Sequence, residues 1–248
     1  GNLALGREAG YAGTASGTAK DAVDGDASTG FTVRGGTKAP QIEVDLIGEF
    51  QISNITVVFG GEPQEYEVHY SVNGTSWERV GTYTSLVGDI GSVVSFGGAN
   101  ARYIRISGIS ADAVLEIYEI RAYGERPLPD LEQLGRLVGY AGGIALTGPA
   151  SLVSQFEDAL AVAYGAFEQE APPDTLNTVY WNLYDAIVAF DPVVALNDRI
   201  AEAGAYDKAD YTAASFEAFE SALAAARQTA ADADATLTEI NAALEELN

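Results

Sequence analysis

Between Ala22 and Phe31 the chain reads AVDGDASTGF, with two aspartates about one glycine and then two hydroxyl residues. Such a density of oxygen ligands suits a hard cation, which is held by oxygen. It equally suits a solvated turn, because Asp and Gly are residues that turns prefer. The stretch alone leaves both readings open.

The residues of catalysis are sparse elsewhere. His69 is the single histidine. It lies in an alternating run where Tyr66, Val68 and Tyr70 share one face and Glu67, His69 and Ser71 the other, which makes it a solvated strand residue rather than a base or ligand. With no Cys and no second His, Ser–His or Cys–His dyads and His-rich zinc sites are weakly supported. Among 36 Asp and Glu residues, close acidic pairs arise by chance, so a glycosidase pair is not inferred. The chain reads as non-catalytic.

Composition bounds what must position these groups. A length of 248 residues suffices for two or three domains. The net charge of −23 opposes a nucleic-acid partner, which needs a basic footprint. No apolar run approaches the roughly 20 residues of a membrane span. Without Cys there are no disulfides and no thiolate metal sites. The chain opens on Gly without a signal-peptide pattern, which points to a processed piece of a larger protein. Residues 1–126 carry 9 basic and 16 acidic groups and residues 127–248 carry 4 and 20, so the character changes near Pro127.

From Gln41 to Tyr123 apolar residues alternate as in strands: Ile42, Val44 and Leu46; Ile55, Val57 and Phe59; Tyr66, Val68 and Tyr70; Tyr103 and its neighbours to Ile106. Asn73-Gly74 predicts a tight hairpin turn with positive φ angles. Many short strands with Gly-rich turns predict a β-sandwich or barrel. Glu125 to Asp130 reads as a short stiff linker.

Beyond the linker the period is helical and the segment is duplicated. Val153, Phe156, Leu160, Ala163 and Phe167 recur, 63 positions later, as Phe216, Phe219, Leu223, Ala226 and Ala230. Each unit offers three amphipathic helices. Thr236 to Glu239 is a capping box, and Tyr211 is placed to staple onto Phe216. Asp191-Pro192 predicts an N-cap and first helical position, so that a second bundle starts where the first ends. Two tandem three-helix bundles, stacked as a semi-rigid rod, are expected. Trp181 and Tyr184 are expected in the packing of the third helix.

AVDGDASTGF, YEVHYSVNGTSW (Tyr66–Trp77), ARYIRISG (Ala101–Gly108) and LEIYEIRAYG (Leu115–Gly124) together resemble the discoidin, or coagulation-factor type C, fold. That fold includes galactose-type carbohydrate-binding modules of secreted bacterial glycoside hydrolases. The helical half is similar to FIVAR repeats, most clearly at Tyr211–Phe216, Phe219 and Ala222-Leu223. The division that follows is a discoidin-like jelly-roll sandwich over 2–124, a divergent FIVAR-like bundle over 131–190 and a second over 193–248.

The resemblance implies a structural Ca²⁺. Carried over, Asp24 and Glu119 supply side-chain oxygens, Thr29 its hydroxyl and carbonyl, and Ala22, Asp26 and Tyr118 carbonyl oxygens. Six to eight hard oxygens in a flexible shell are what Ca²⁺ takes, and Gly25 lets the backbone aim them. Family members that bind galactose-type sugars present an aromatic platform with His, Arg and Asn. Here the loops after Phe31, after Phe59 and at Ser110–Val114 lack that set. Arg34, Lys38, Glu62, Gln64 and Asp112 remain as candidate ligand contacts, while Phe31 and Trp77 are expected in the core. The resulting expectation is an accessory region of a secreted or wall-associated bacterial carbohydrate-active protein, its partner a glycan or a neighbouring catalytic domain. The alternative is a structural or protein-docking module with no sugar affinity. An exposed aromatic among the sandwich loops would favour the first, and a large apolar patch the second.

Overall fold

The computed structural model describes residues 1–88, 90–206, 209 and 212–248. The chain divides into two compact units, Gly1–Pro127 and Leu128–Asn248. The boundary falls within the Pro-flanked linker.

The first unit is an antiparallel β-sandwich. Its strands are β1 (Glu8–Ala12), β2 (Thr14–Ser16), β3 (Phe31–Arg34), β4 (Gln41–Phe59), β5 (Glu65–Ser71), β6 (Glu78–Thr84), β7 (Ser92–Gly108) and β8 (Val114–Glu125), with a 3-10 turn at Ala19–Val23. The ladder runs β2-β3-β8-β4-β7-β5-β6, and β1 also pairs with β4. One ladder makes two layers because β4 and β7 are long enough to bend across both. Residues 41–45 of β4 pair with β1, and residues 51–59 pair with β8. Between the layers lie Phe31, Ile42, Val44, Leu46, Ile55, Val57, Phe59, Tyr66, Val68, Ile104 and Ile106, all buried.

The bend in β4 is held by charge. Its register slips between Asp45 and Phe50, and Ile47 sits there at φ 69°. A left-handed conformation is a genuine outlier for a β-branched residue, costing on the order of 1–3 kcal/mol. The Ile47 N–H donates to Asp45 Oδ1 at 2.7 Å, and Arg102 donates to both oxygens of Asp45 at 2.8 Å each. Burial of the Ile47 side chain offsets the rest.

Three expectations are corrected in this unit. The β5–β6 connection is a six-residue loop between Ser71 and Glu78 rather than a two-residue hairpin turn. Only Gly74 there has positive φ (74°), and Asn73 serves through its side chain, accepting from Thr75 N and Ser76 N. Tyr103 faces outward, with Ile104 and Ile106 taking the core positions. Trp77 also lies outside the core, with the Arg105 guanidinium 3.6 Å over its ring. Phe31 is buried, as expected.

The second unit holds α1 (Leu131–Ala141), α2 (Ala150–Glu168), α3 (Pro173–Ala203), α4 (Ala213–Ala231) and α5 (Leu237–Leu247). The bounds of α2 and α4 differ by the 63 positions of the repeat. Capping boxes close Asp130 on Gln133 and Thr236 on Glu239. The staple expected of Tyr211 lies outside the described residues. Helix α3 runs unbroken through Asp191-Pro192, so no helix begins there. An interior proline costs about 3 kcal/mol, yet Phe190, Val193 and Leu196 on either side are buried, and that burial carries the helix through. The α1–α2 loop braces this point: Gly148 packs on Val193, and Asn197 donates to the Thr147 carbonyl at 2.7 Å. Trp181 and Tyr184 are buried with rings 5.5 Å apart. No described helix is long and apolar enough to cross a membrane.

Asp45→Ala removes both bonds to Arg102 and the bond that holds Ile47. Its expected cost is about 3 kcal/mol of sandwich stability, read by chemical denaturation, with the helical transition unchanged. A loss below about 0.5 kcal/mol, the range of ordinary surface substitutions, would show that the bend does not need the clamp.

Candidate functional site

The Asp24 loop is closed by its own side chains. Asp24 accepts from Asp26 N at 2.8 Å and from the Thr29 hydroxyl at 2.7 Å. Asp26 Oδ1 accepts from Ser28 N and the Ser28 hydroxyl, at 2.9 and 2.6 Å. The Ser28 bonds hold the Asp26 carboxyl below its ordinary value. Gly25 makes the sharp turn at φ 88°.

Glu119 faces this loop from β8. A register irregularity between Val58 and Phe59 leaves Tyr118 without a partner on β4, since Glu119 pairs with Val58 and Ile117 with Phe59. Such a bulge re-aims a side chain. Glu119 shares the face of its partner Val58, opposite core Ile117 and Ile120, and is fully buried against the loop, with no hydrogen bond of regular geometry to either carboxylate oxygen. Burial is the main cause that pushes its carboxyl above the ordinary 4.5; Arg121 opposes, Asp24 adds, the Gly25 N–H opposes and Asp26 adds. A buried acid beside two further carboxylates, penalised by burial more than Arg121 and the Gly25 N–H relieve it, is a costly arrangement.

The structure thus brings Asp24, Asp26, Thr29 and Glu119 together, with Ala22 buried at the base of the loop. Among the described residues no group of three or more His, Cys, Asp and Glu is placed to hold a metal ion. The expected set needs only two side-chain carboxylates, Asp24 and Glu119. Backbone carbonyls and the Thr29 hydroxyl complete it, so the chemistry of the donors fits a hard cation.

The candidate ligand contacts gather at one end of the sandwich. Gly35 N donates to the Ala113 carbonyl at 3.1 Å and Gly60 N to the Glu116 carbonyl at 2.9 Å, which draws the three loops together. Arg34, Lys38, Glu62 and Asp112 are exposed there. Asp112 accepts from the Ser110 hydroxyl at 2.7 Å. Gln64 is a strut, its amide bonded to the Val114 carbonyl and its backbone to Ser85.

Two features of this end escape the sequence reading. Half-exposed Tyr118 donates to Glu116 at 2.9 Å, and its ring edges fill the space that side chains at Gly30 and Gly60 would take. Leu86, Val87 and Ile90 are exposed, Ile90 by 91%. Val87 bridges to Phe59, which sets them beside the 60–64 loop. The glycines at 30, 60 and 61 flanking an aromatic-acid pair were the available signal for the first. His69 is more covered than expected: its side chain is 19% exposed, Nδ1 is buried without a partner, and burial holds its pKa below the ordinary value.

Residues 8–120 match the family model described as the F5/8 type C domain. Chitosan-binding module 1 of a chitosanase/glucanase from Paenibacillus sp. IK-5 is similar at 25% identity, with 50% of this chain and 99% of that one covered and a TM-score of 0.42. A fucose-binding module of Streptococcus pneumoniae is similar at 17% identity, covering 50% and 95%, with a TM-score of 0.42. The lectin domain of Lectinolysin, complexed with Lewis B antigen, gives 18% identity, 50% and 97%, and 0.43. No curated protein matches the chain.

The pH dependence of Glu119 is a direct check. With its folded pKa raised, the native state keeps a proton that the unfolded chain releases near 4.5, so stability falls as pH rises from that value through the folded pKa. In chelator, Glu119→Gln is expected to melt higher than wild type at neutral pH, the gap closing below pH 4.5. With Ca²⁺ present the order reverses. A gap that does not change with pH in chelator would mean that Glu119 is not the titrating group.

Proposed function

We propose that the sandwich is a Ca²⁺-stabilised glycan-binding module in the non-catalytic accessory region of a secreted or cell-surface bacterial carbohydrate-active protein. The helical unit is its spacer, built of FIVAR-like repeats. The observation that carries the Ca²⁺ reading is the buried, unpartnered Glu119 carboxylate facing the Asp24 loop. Asp24, Thr29 and Glu119 would hold the ion through side chains, and Ala22, Asp26 and Tyr118 through carbonyls. Bound Ca²⁺ adds to Arg121 the positive charge that the acidic cluster needs and ties the first loop to the last strand.

The match to the F5/8 type C domain supports glycan binding by the sandwich, and the loop end is where its ligand would sit. Arg34, Lys38, Glu62 and Asp112 line that end, with half-exposed Tyr118 beside Gly60. Phe31 is buried, and Tyr83 leans on Tyr66 with rings 5.8 Å apart, so neither forms a platform. A second reading, docking of a neighbouring protein domain, is favoured by exposed Leu86, Val87 and Ile90 beside the same loops.

A glycan array probed with the Ca²⁺-loaded chain decides between them: retained glycans support the first reading, and none the second. Free galactose is expected to bind with a dissociation constant above roughly 1 mM, about −4.1 kcal/mol, because the His, Asn and aromatic platform of galactose-type sites are missing from the loops. Titration calorimetry giving micromolar galactose affinity would contradict this account of the loops.

A further inference from the structure

We propose that the sandwich carries a second saccharide site, at the end away from the 60–64 loop, which takes an uncharged N-acetylhexosamine unit. Strand β5 begins at Glu65 beside that loop and ends at Ser71. Its seven residues put the following turn roughly 20 Å away. At that turn Tyr70, Val72, Ser76, Trp77, Glu78 and Asn100 line a cleft of about 320 Å³, at the lower end of small-molecule sites.

The cleft is rigid. Ser71 Oγ accepts from Asn73 N and Gly74 N, and Asn73 Oδ1 from Thr75 N and Ser76 N. The Trp77 indole N–H donates to the Gly74 carbonyl at 3.1 Å, and Arg105 stacks on the ring at 3.6 Å. Tyr70 donates to Glu78 at 2.7 Å and so fixes that carboxylate. Groups locked before a ligand arrives need not be ordered by it, which favours binding.

The lining selects the ligand. Tyr70 and Trp77 offer aromatic surface to the C–H positions of a sugar ring. Exposed Asn100 presents a donor and an acceptor in one plane, and Glu78 and Ser76 add an acceptor and a hydroxyl, the set that adjacent ring hydroxyls require. Half-buried Val72 gives an apolar contact for the methyl of an acetamido group. Arg105 is engaged by Glu43 at 3.2 Å and by Trp77. Glu78 is thus the charge lining the cleft, and it disfavours uronic and sialic acids. This site is independent of the loop-end reading and stands or falls separately.

The chain has two tryptophans, so its indole N–H signals in nitrogen-15 correlation spectra are those of Trp77 and of Trp181, which is buried in the helical unit and serves as control. The full chain is titrated with N,N′-diacetylchitobiose and, in parallel, with cellobiose, which has the same linkage and no acetamido groups. The expected result is a saturable shift of the Trp77 indole and the Asn100 amide with diacetylchitobiose alone. Loss of one polar partner in Asn100→Ala or Glu78→Ala should weaken binding roughly tenfold, while Glu157→Ala, exposed on α2 in the helical unit, leaves it unchanged. Shifts confined to residues 34–38, 60–64 and 110–113 would overturn this site and support the loop end. An unmoved Trp77 indole, or equal shifts with both sugars, would also overturn it. Movement at Trp77 with still loops supports this site against the other.

Discussion

A carboxylate enclosed in a β-sandwich needs a proton, a hydrogen-bonding partner or a cation, and much of the first unit is arranged around one such group. Glu119 pairs with Val58 and Ile117 with Phe59, so the ladder passes over Tyr118, and Glu119 is buried against the Asp24 loop. The same bulge puts the Tyr118 side chain outside, over Gly30 and Gly60. A buried acid facing the Asp24 loop and a half-exposed aromatic near the binding loops thus sit side by side at one backbone irregularity. Asp24, Asp26, Ser28 and Thr29 satisfy one another around the loop. Glu119 receives no hydrogen bond of regular geometry, and a cation is the species that would engage both sides.

The bend of β4 makes this geometry reachable. Strand β4 can pair with β1 early and with β8 later only if it changes direction, and Ile47 at positive φ is where it does so. The Arg102–Asp45 pair holds that turn in place. The value of the pair lies in fixing a strained conformation rather than in adding net stability, which for a mostly buried ion pair is offset by desolvation. In the helical unit the equivalent local conflict is Pro192, carried within α3 by the apolar residues on both sides.

Where a period was uninterrupted, it was legible. Ile42, Val44 and Leu46, then Ile55, Val57 and Phe59, are buried as their alternation predicts, and the 63-residue repeat recurs in the bounds of α2 and α4. What failed was set by single-residue irregularities, each of which moves side chains to the other face. The run from Tyr103 to Ile106 was read as a strand without its phase, and Ile104 and Ile106 rather than Tyr103 face the core. Asp191-Pro192 carried a strong local start signal that tertiary burial overrode. The approach of Asp24, Thr29 and Glu119 was legible through resemblance. The register irregularity at Tyr118 was not, because nothing in LEIYEIRAYG distinguishes a regular strand from one with an extra residue. Gln64 was named as a ligand contact on its loop position, whereas its amide is bonded to Val114.

The most direct test of the central claim is a calorimetric titration of the chelator-stripped chain with CaCl₂, beside Glu119→Gln and Asp24→Ala. The account predicts one saturable Ca²⁺ site per chain, lost or severely weakened in both variants, with Arg34→Ala indistinguishable from the unsubstituted chain. Absence of any saturable heat, or a site that survives both substitutions, would contradict it.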